Sequence, residues 1–361
     1  MELKGQDVLV QTLTNAINFE KLHHAYLLTG IRGIGKTTTA RIIAKTINCE
    51  NPTKNENTLI PCEECSNCQS IKNGSHPDVI EFDAASNTGI DDIKTMFEGI
   101  SYAPALGKYR VFIVDEVHML STKAFNSLLK TLEEPPQNVM FIFATTEIQK
   151  VPITILSRCQ KFSLSALSKE KMVEHLKFIC LQENITAQES VLNLIASKSC
   201  GSVRDALSIL DQAIMQSMSS NIDENIVKTM LSIVSKEEIN ELFESVLQGK
   251  IKEMLGFLQS LKAKGIGEIE ILEAFLEYIY STVQENIENG VEFANLLRLW
   301  NIFLHSVQDL QLATNKYIAL EMIFIKAIHT YSSPSIENLV HSISDDKIAQ
   351  IIKDFPNASV N

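Results

Sequence analysis

Apolar positions along the chain fall into two regimes. From residue 25 to about residue 164 they gather in short runs rich in β-branched and aromatic residues, at 25–29, 79–82, 111–114, 139–144 and, more weakly, 160–164. Helix-like segments separate these runs, and strands alternating with helices predict a mostly parallel five-stranded sheet with helices on both faces. Beyond about residue 165 the period changes. "SKEKMVEHLKFICLQENI", "ESVLNLIASKSC" and "VRDALSILDQAIMQSM" carry apolar residues at helical spacing. "IEILEAFLEYIYSTVQENI" and "ANLLRLWNIFLHSVQDLQLA" continue it, and helix is expected to about Lys353. The organisation that follows is an α/β domain over 1–164, a small helical domain over 165–229 and a larger all-α domain over 230–361. No internal repeat, low-complexity tail or long linker interrupts it, and the polar stretch "ENPTKNENT" is expected as a surface loop.

Size and charge narrow the function classes. With 361 residues and 45% hydrophobic content the chain can bury a core in two or three domains. Its formal net charge of −12, from 32 basic against 44 acidic residues, argues against gripping a phosphate backbone over the whole surface. Any nucleic-acid contact is therefore expected to be local or shared with partners. The chain has no run of 18 or more apolar residues, and "MELKGQDVLV" has neither the basic flank nor the apolar core of a signal peptide. A cytoplasmic protein without membrane contact is expected, and disulfides are disfavoured there.

Two stretches carry the chemistry of a nucleotide site. In "LLTGIRGIGKTTTARIIA" the run Gly30, Gly33, Gly35, Lys36, Thr37, Thr38 fits a phosphate-binding loop between a strand and a helix. Glycines let backbone N–H groups turn toward the phosphates, the helix N-terminus adds partial positive charge, Lys36 reaches the terminal phosphates and Thr37 ligates magnesium. In "RVFIVDEVHML" an apolar strand delivers Asp115 and Glu116 to the sheet edge where such folds place ligands. Asp115 is expected to hold magnesium and Glu116 to polarise the attacking water. Each stretch alone has a plainer explanation, a glycine-rich turn or an acidic pair at a strand end. His118 is expected to be a structural neighbour. A further strand, "MFIFATTE", ends in Thr145 and Thr146, which could orient the water or sense the γ-phosphate.

Four of the seven cysteines lie within twenty residues, Cys49, Cys62, Cys65 and Cys68. Their knuckle-like spacing in a reducing compartment suits tetrahedral all-thiolate zinc with a structural role. An iron–sulfur cluster is the rival, but the bacterial ferredoxin run needs a further cysteine and proline where "QSIKNG" stands here. A redox pair or four inert thiols is the plain alternative.

The combination of "LHHAYLLTGIRGIGKTTTARIIAKTINCE", "PCEECSNC", "EFDAASNTGIDDI", "SYAPALGKYRVFIVDEVHMLSTKAFNSLLKTLEEPP", "FATTEIQKVPITILSRCQKFSL" and "GSVRDALSILDQAI" resembles the gamma/tau subunits of bacterial DNA polymerase III. These are the clamp-loader ATPases of the AAA+ family. The resemblance runs from about Gly5 to the end of the small helical domain, which would be the lid. Past residue 230 it is looser, though "LKAKGIGEIEILEAF" resembles the family's helical collar. It implies that Lys36 and Thr37 bind ATP phosphates and magnesium, that Asp115 and Glu116 are the Walker B pair and that Thr146 is the first sensor. Arg158 would be the finger reaching a neighbouring subunit's ATP site, and Arg204 the second sensor. The family also carries a zinc module at the four cysteines. Partners implied are delta-type and delta-prime-type subunits, further copies of the chain, the sliding clamp and primed DNA, all within the replisome of the polymerase III holoenzyme. A non-hydrolysing, stator-like subunit of the same loader is the alternative, and a branch-migration motor a third. The family carries a basic and aromatic segment ahead of Gly5-Gln6 that helps frame adenine. This chain starts near that point, which predicts either truncation or weaker nucleotide binding. It stops at Asn361, as the family's short form or an ATPase-and-collar fragment would.

Overall fold

The computed structural model describes residues 6–332 except 20, 56–57, 87–95, 97–99, 101, 218–220 and 286–289. The chain divides into two compact units, Met1–Val227 and Lys228–Asn361.

In the first unit, helix α1 (Asp7–Asn18) precedes strand β1 (Ala25–Thr29) and helix α2 (Lys36–Asn48). A short antiparallel hairpin, β2 (Thr53–Asn55) and β3 (Thr58–Ile60), occupies the stretch expected as a surface loop, with 56–57 outside the described residues. Its strands are too short and polar to signal themselves by alternation. Helix α3 (Ser66–Lys72) and strands β4 (Val79–Asp83) and β5 (Arg110–Asp115) follow, then helix α4 (Thr122–Glu133), strand β6 (Val139–Thr145), the one-turn helix α5 (Ile153–Leu156) and strand β7 (Gln160–Ser163).

The five strands β4, β5, β6, β1 and β7 lie side by side in that order, with parallel pairings throughout. This is the expected sheet, and the apolar runs of its central strands β1, β5 and β6 have the physical reason that a parallel sheet is covered on both faces. Along β1, β5 and β6 the side chains alternate between two cores. Ala25, Leu27, Phe112, Val114, Phe141 and Phe143 pack with Phe125, Leu128 and Leu132 of α4. Tyr26, Leu28, Val111, Ile113, Met140 and Ile142 pack with Leu9 and Leu13 of α1 and with Ile43 and Ile47 of α2. Parallel pairing also brings the C-terminal ends of β1, β5 and β6 to one edge, where Thr29 stands opposite Thr145.

Past β7 the unit is helical, as the change of period predicts: α6 (Lys169–Gln182), α7 (Glu189–Lys198), α8 (Val203–Ser217) and α9 (Glu224–Met230), with two-residue strands β8 (Thr186–Ala187) and β9 (Asn221–Ile222) pairing between them. The architecture is that of a parallel α/β domain followed by a small helical domain, as expected.

The second unit contains α10 (Lys236–Leu247), α11 (Ile251–Ala263), α12 (Glu268–Glu285), α13 (Gly290–Leu312) and α14 (Lys316–Ser332). The sequence "SKEE" forms a capping box at the start of α10, with Ser235 and Glu238 each satisfying the other's backbone N–H. Phe275, Phe303 and Phe324 meet at the centre with ring centroids 4.7 to 4.9 Å apart. The helix expected between 333 and about 353, and residues 87–93 of "EFDAASNTGIDDI", lie outside the described residues.

Candidate nucleotide site and cysteine cluster

The turn after β1 is shaped by two glycines that no other residue replaces without strain. Gly35 caps α2 at φ +94°, and Gly33 takes φ +76° with Ser202 Oγ only 2.1 Å from where a β-carbon would stand. The loop therefore lies directly against the start of α8, and Arg204 N donates to Gly33 O at 3.1 Å. Lys36 is buried and donates to the carbonyls of Gly30 and Ile31, both at 3.1 Å. Burial pushes its ammonium below the usual lysine range, against the opposing pull of Glu116 and Asp115.

Thr37, in the first turn of α2, donates its hydroxyl to Asp115 Oδ2 at the end of β5. Two oxygen donors are thus side by side next to the loop, a set whose chemistry fits magnesium. Glu116 follows at φ +45°, a left-handed conformation that turns its side chain out of the strand direction. Its Oε2 accepts from Thr146 N at 3.2 Å and Thr146 Oγ1 at 3.1 Å. His118 Nδ1 lies 2.9 Å from Thr145 Oγ1 and 3.4 Å from Glu116 Oε2, with Nε2 3.3 Å from Glu147 Oε1. It is a neighbour of the acidic pair, as expected, but it touches Glu116 directly.

These groups line one cleft of about 1230 Å³, ample for a nucleoside triphosphate. Gly33, Gly35, Lys36, Thr37, Thr38, Asp115, Glu116, Thr146 and Arg204 all line it; Gly30 forms the loop's start and holds Lys36. Arg41 and Glu81 line it too, joined by two 2.6 Å hydrogen bonds, a pair that sequence spacing gives no means of finding because forty residues separate the partners. Arg158 stands apart from the residues lining the cleft. Its Nη1 donates to Thr154 O at 2.7 Å and Ser157 Oγ at 3.3 Å, and its Nη2 to Glu133 Oε1 at 2.7 Å.

Cys49, Cys62, Cys65 and Cys68 converge, with all four sulfurs within 4.8 Å of one another. A tetrahedron of thiolates around zinc at about 2.3 Å needs sulfur separations of roughly 3.8 Å, so the set fits that ion with small adjustments. Backbone N–H groups of Cys62, Cys65 and Cys68 point at the sulfurs of Cys49, Cys62 and Cys65, at 3.3, 3.3 and 3.4 Å. N–H donors from Cys65 and Glu64 bring the Cys62 thiol down to about 7, while burial pushes Cys49 and Cys68 up. Negative sulfur is thus favoured at one corner, and a bound cation would offset the desolvation of thiolates at the buried corners.

Comparison with known proteins agrees with this geometry. The family model for DNA polymerase III, delta subunit, matches residues 5–168, and that for the DNA polymerase III clamp loader subunit, ATPase lid domain, matches 171–219. The model for DNA polymerase III subunits gamma and tau domain III matches 222–287 and 280–343. The chain is 35% identical over 342 residues to the DNA polymerase III subunit tau/gamma of Haemophilus influenzae, covering 91% of this chain and 49% of that protein. It thus spans about half the length of that relative. It is also 35% identical over 347 residues to the DNA polymerase III subunit gamma of Buchnera aphidicola subsp. Acyrthosiphon pisum, covering 91% of this chain and 95% of that one. Among solved structures, the Thermotoga maritima RuvB Holliday junction branch migration motor is similar at 19% identity over 67% of this chain and 76% of its own, with a TM-score of 0.47, too distant to bear on activity. Matched along almost all of a gamma subunit's length, the chain belongs to the gamma/tau family of DNA polymerase III clamp-loader subunits.

Proposed function

We propose that this chain is an ATPase that uses ATP binding and hydrolysis to load the sliding clamp onto primed DNA during replication. The observation that carries the proposal is the cleft itself, where the glycine-rich turn, the Thr37–Asp115 oxygen pair and the carboxylate of Glu116 held by Thr146 meet at one sheet edge. Lys36 leaves the carbonyls of Gly30 and Ile31 for the β- and γ-phosphates, and the backbone N–H groups from Gly33 to Thr38 cradle them. Thr37 and Asp115 would hold magnesium, which would supply positive charge to the phosphate oxygens. Glu116 takes up the attacking water's proton, positioned by its two bonds from Thr146, the first sensor. Arg204 serves the same site from the helical side as second sensor, and Arg158 serves a neighbouring subunit's site. An arginine supplied in trans makes hydrolysis depend on assembly.

Residues 1–164 would then be the ATPase domain, 165–229 its lid and 230–361 the collar that assembles with delta-type and delta-prime-type subunits and further copies of the chain. The cysteines at 49–68 would bind one zinc. The site of action would be the cytoplasmic replisome, within the polymerase III holoenzyme; no described helix is long and apolar enough to cross a membrane. The match of a delta-subunit model to 5–168 keeps one rival, a non-hydrolysing stator-like subunit.

Steady-state ATP hydrolysis decides between them, measured on the chain alone and with sibling subunits, sliding clamp and primed DNA. Low turnover alone, strong stimulation by the mixture, and loss of both turnover and clamp loading in Lys36→Ala with assembly retained are expected. An assembled loader whose turnover is indifferent to Lys36→Ala favours the stator reading.

A further inference from the structure

We propose that Glu133 is a positioning residue for Arg158, fixing the guanidinium in the orientation it needs to meet a phosphate of the neighbouring subunit. The inference rests on the reading of Arg158 as a finger acting in trans. Glu133 is the last residue of α4, and Glu134 follows it as the cap. A carboxylate at a helix C-terminus faces the negative end of the helix dipole, so its own helix gives it no support there. The cation that meets it is Arg158, at 2.7 Å.

That contact completes a frame. Thr154 O and Ser157 Oγ hold Nη1 from the arginine's own loop, and Glu133 holds Nη2 from a different element. Those contacts engage three of the five guanidinium hydrogens, leaving donors for an incoming anion. A planar guanidinium bound at both terminal nitrogens loses most of its rotational choice before any partner arrives. Stability does not account for the pair: the side chains are 32% and 52% exposed, and exposed ion pairs add little to folding. Preorganisation does account for it, because a group that acts only in the transition state gains rate from being held in place.

The test uses intact loaders, isolated as assembled complexes with sibling subunits and stimulated by clamp and primed DNA. Glu133→Gln is expected to lower kcat about tenfold with KM for ATP unchanged. Glu133→Asp, which keeps the carboxylate, recovers most of that loss. Arg158→Ala is expected to lose on the order of a thousandfold, and adding Glu133→Gln to it changes nothing further. A Glu133→Gln loader with parental kcat, beside an Arg158→Ala loader that is inactive, overturns the positioning role and leaves the finger intact. Parental turnover in Arg158→Ala overturns the finger, and the positioning role with it. Equal, additive losses in the double variant overturn the claim that Glu133 acts through Arg158.

Discussion

Asp78 is fully buried just ahead of β4, and its oxygens accept N–H bonds from Ala105, Leu106 and Gly107 at 2.8, 2.7 and 2.9 Å, with Arg110 at 3.4 Å. Burial alone would push its carboxyl up, but the three backbone donors and Arg110 outweigh it and hold the group below the usual carboxylate range. Asp78→Ala leaves those donors buried without an acceptor and is expected to cost at least about 3 kcal/mol at neutral pH. A carboxyl with a depressed folded value contributes fully above the ordinary carboxylate range and loses that contribution as pH falls through the folded value. Urea melts at descending pH should therefore show the gap between parent and variant closing in acid; a gap that stays constant would refute the charge-based account. Asp78 was not legible in the sequence, because its partners lie nearly thirty residues away. Lys36, Asp115 and the four cysteines were legible because their chemistry is written in local spacing. Arg158 was legible only by resemblance, and its bond to Glu133 by neither route.

Among elements, the five strands of the main sheet were read from the sequence to within one residue at their ends: β1, β5 and β6 are central, mostly apolar runs that a doubly covered sheet requires, while the edge strands β4 and β7 carry Glu81, Gln160 and Lys161. The β2–β3 hairpin was missed for the opposite reason: three-residue strands of mixed polarity bury too little to leave a pattern. The cysteine cluster is built around that hairpin, with Cys49 at the end of α2, Cys62 and Cys65 between β3 and α3 and Cys68 in α3, and a chain of hydrogen bonds ties the cluster to the sheet. Asn67 Nδ2 donates to Asn48 O at 3.0 Å, the Asn48 side chain bonds Tyr109 through both N–H and C=O, and His76 links Asn67 to Asp78. Metal analysis is expected to find one zinc per chain, and its removal by a chelator to lower Tm by roughly 5 °C or more. Hydrogen exchange should quicken not only at 62–68 but also at 105–109, reached through Asn48 and Asp78. A chain that contains no zinc, or whose 105–109 amides ignore its loss, would break this link.

At the scale of the molecule the two units have separate cores. The buried cluster that runs from Val234 to Ile328 lies wholly in the second unit, and the two sheet-packed cores lie in the first. Residues 228–361 expressed alone are expected to be helical and to melt cooperatively; a broad, non-cooperative transition would show that the second core needs the first. Within the first unit, α4 starts just beyond Asp115 and Glu116 and ends at Glu133 beside Arg158. Its 12 residues make a rod roughly 18 Å long. On the proposed roles, the near end of that rod attends to the subunit's own nucleotide and the far end to the neighbour's. In a ring built head to tail from such subunits each helix would then point from one nucleotide toward the next, so that the ring has a direction written into every subunit.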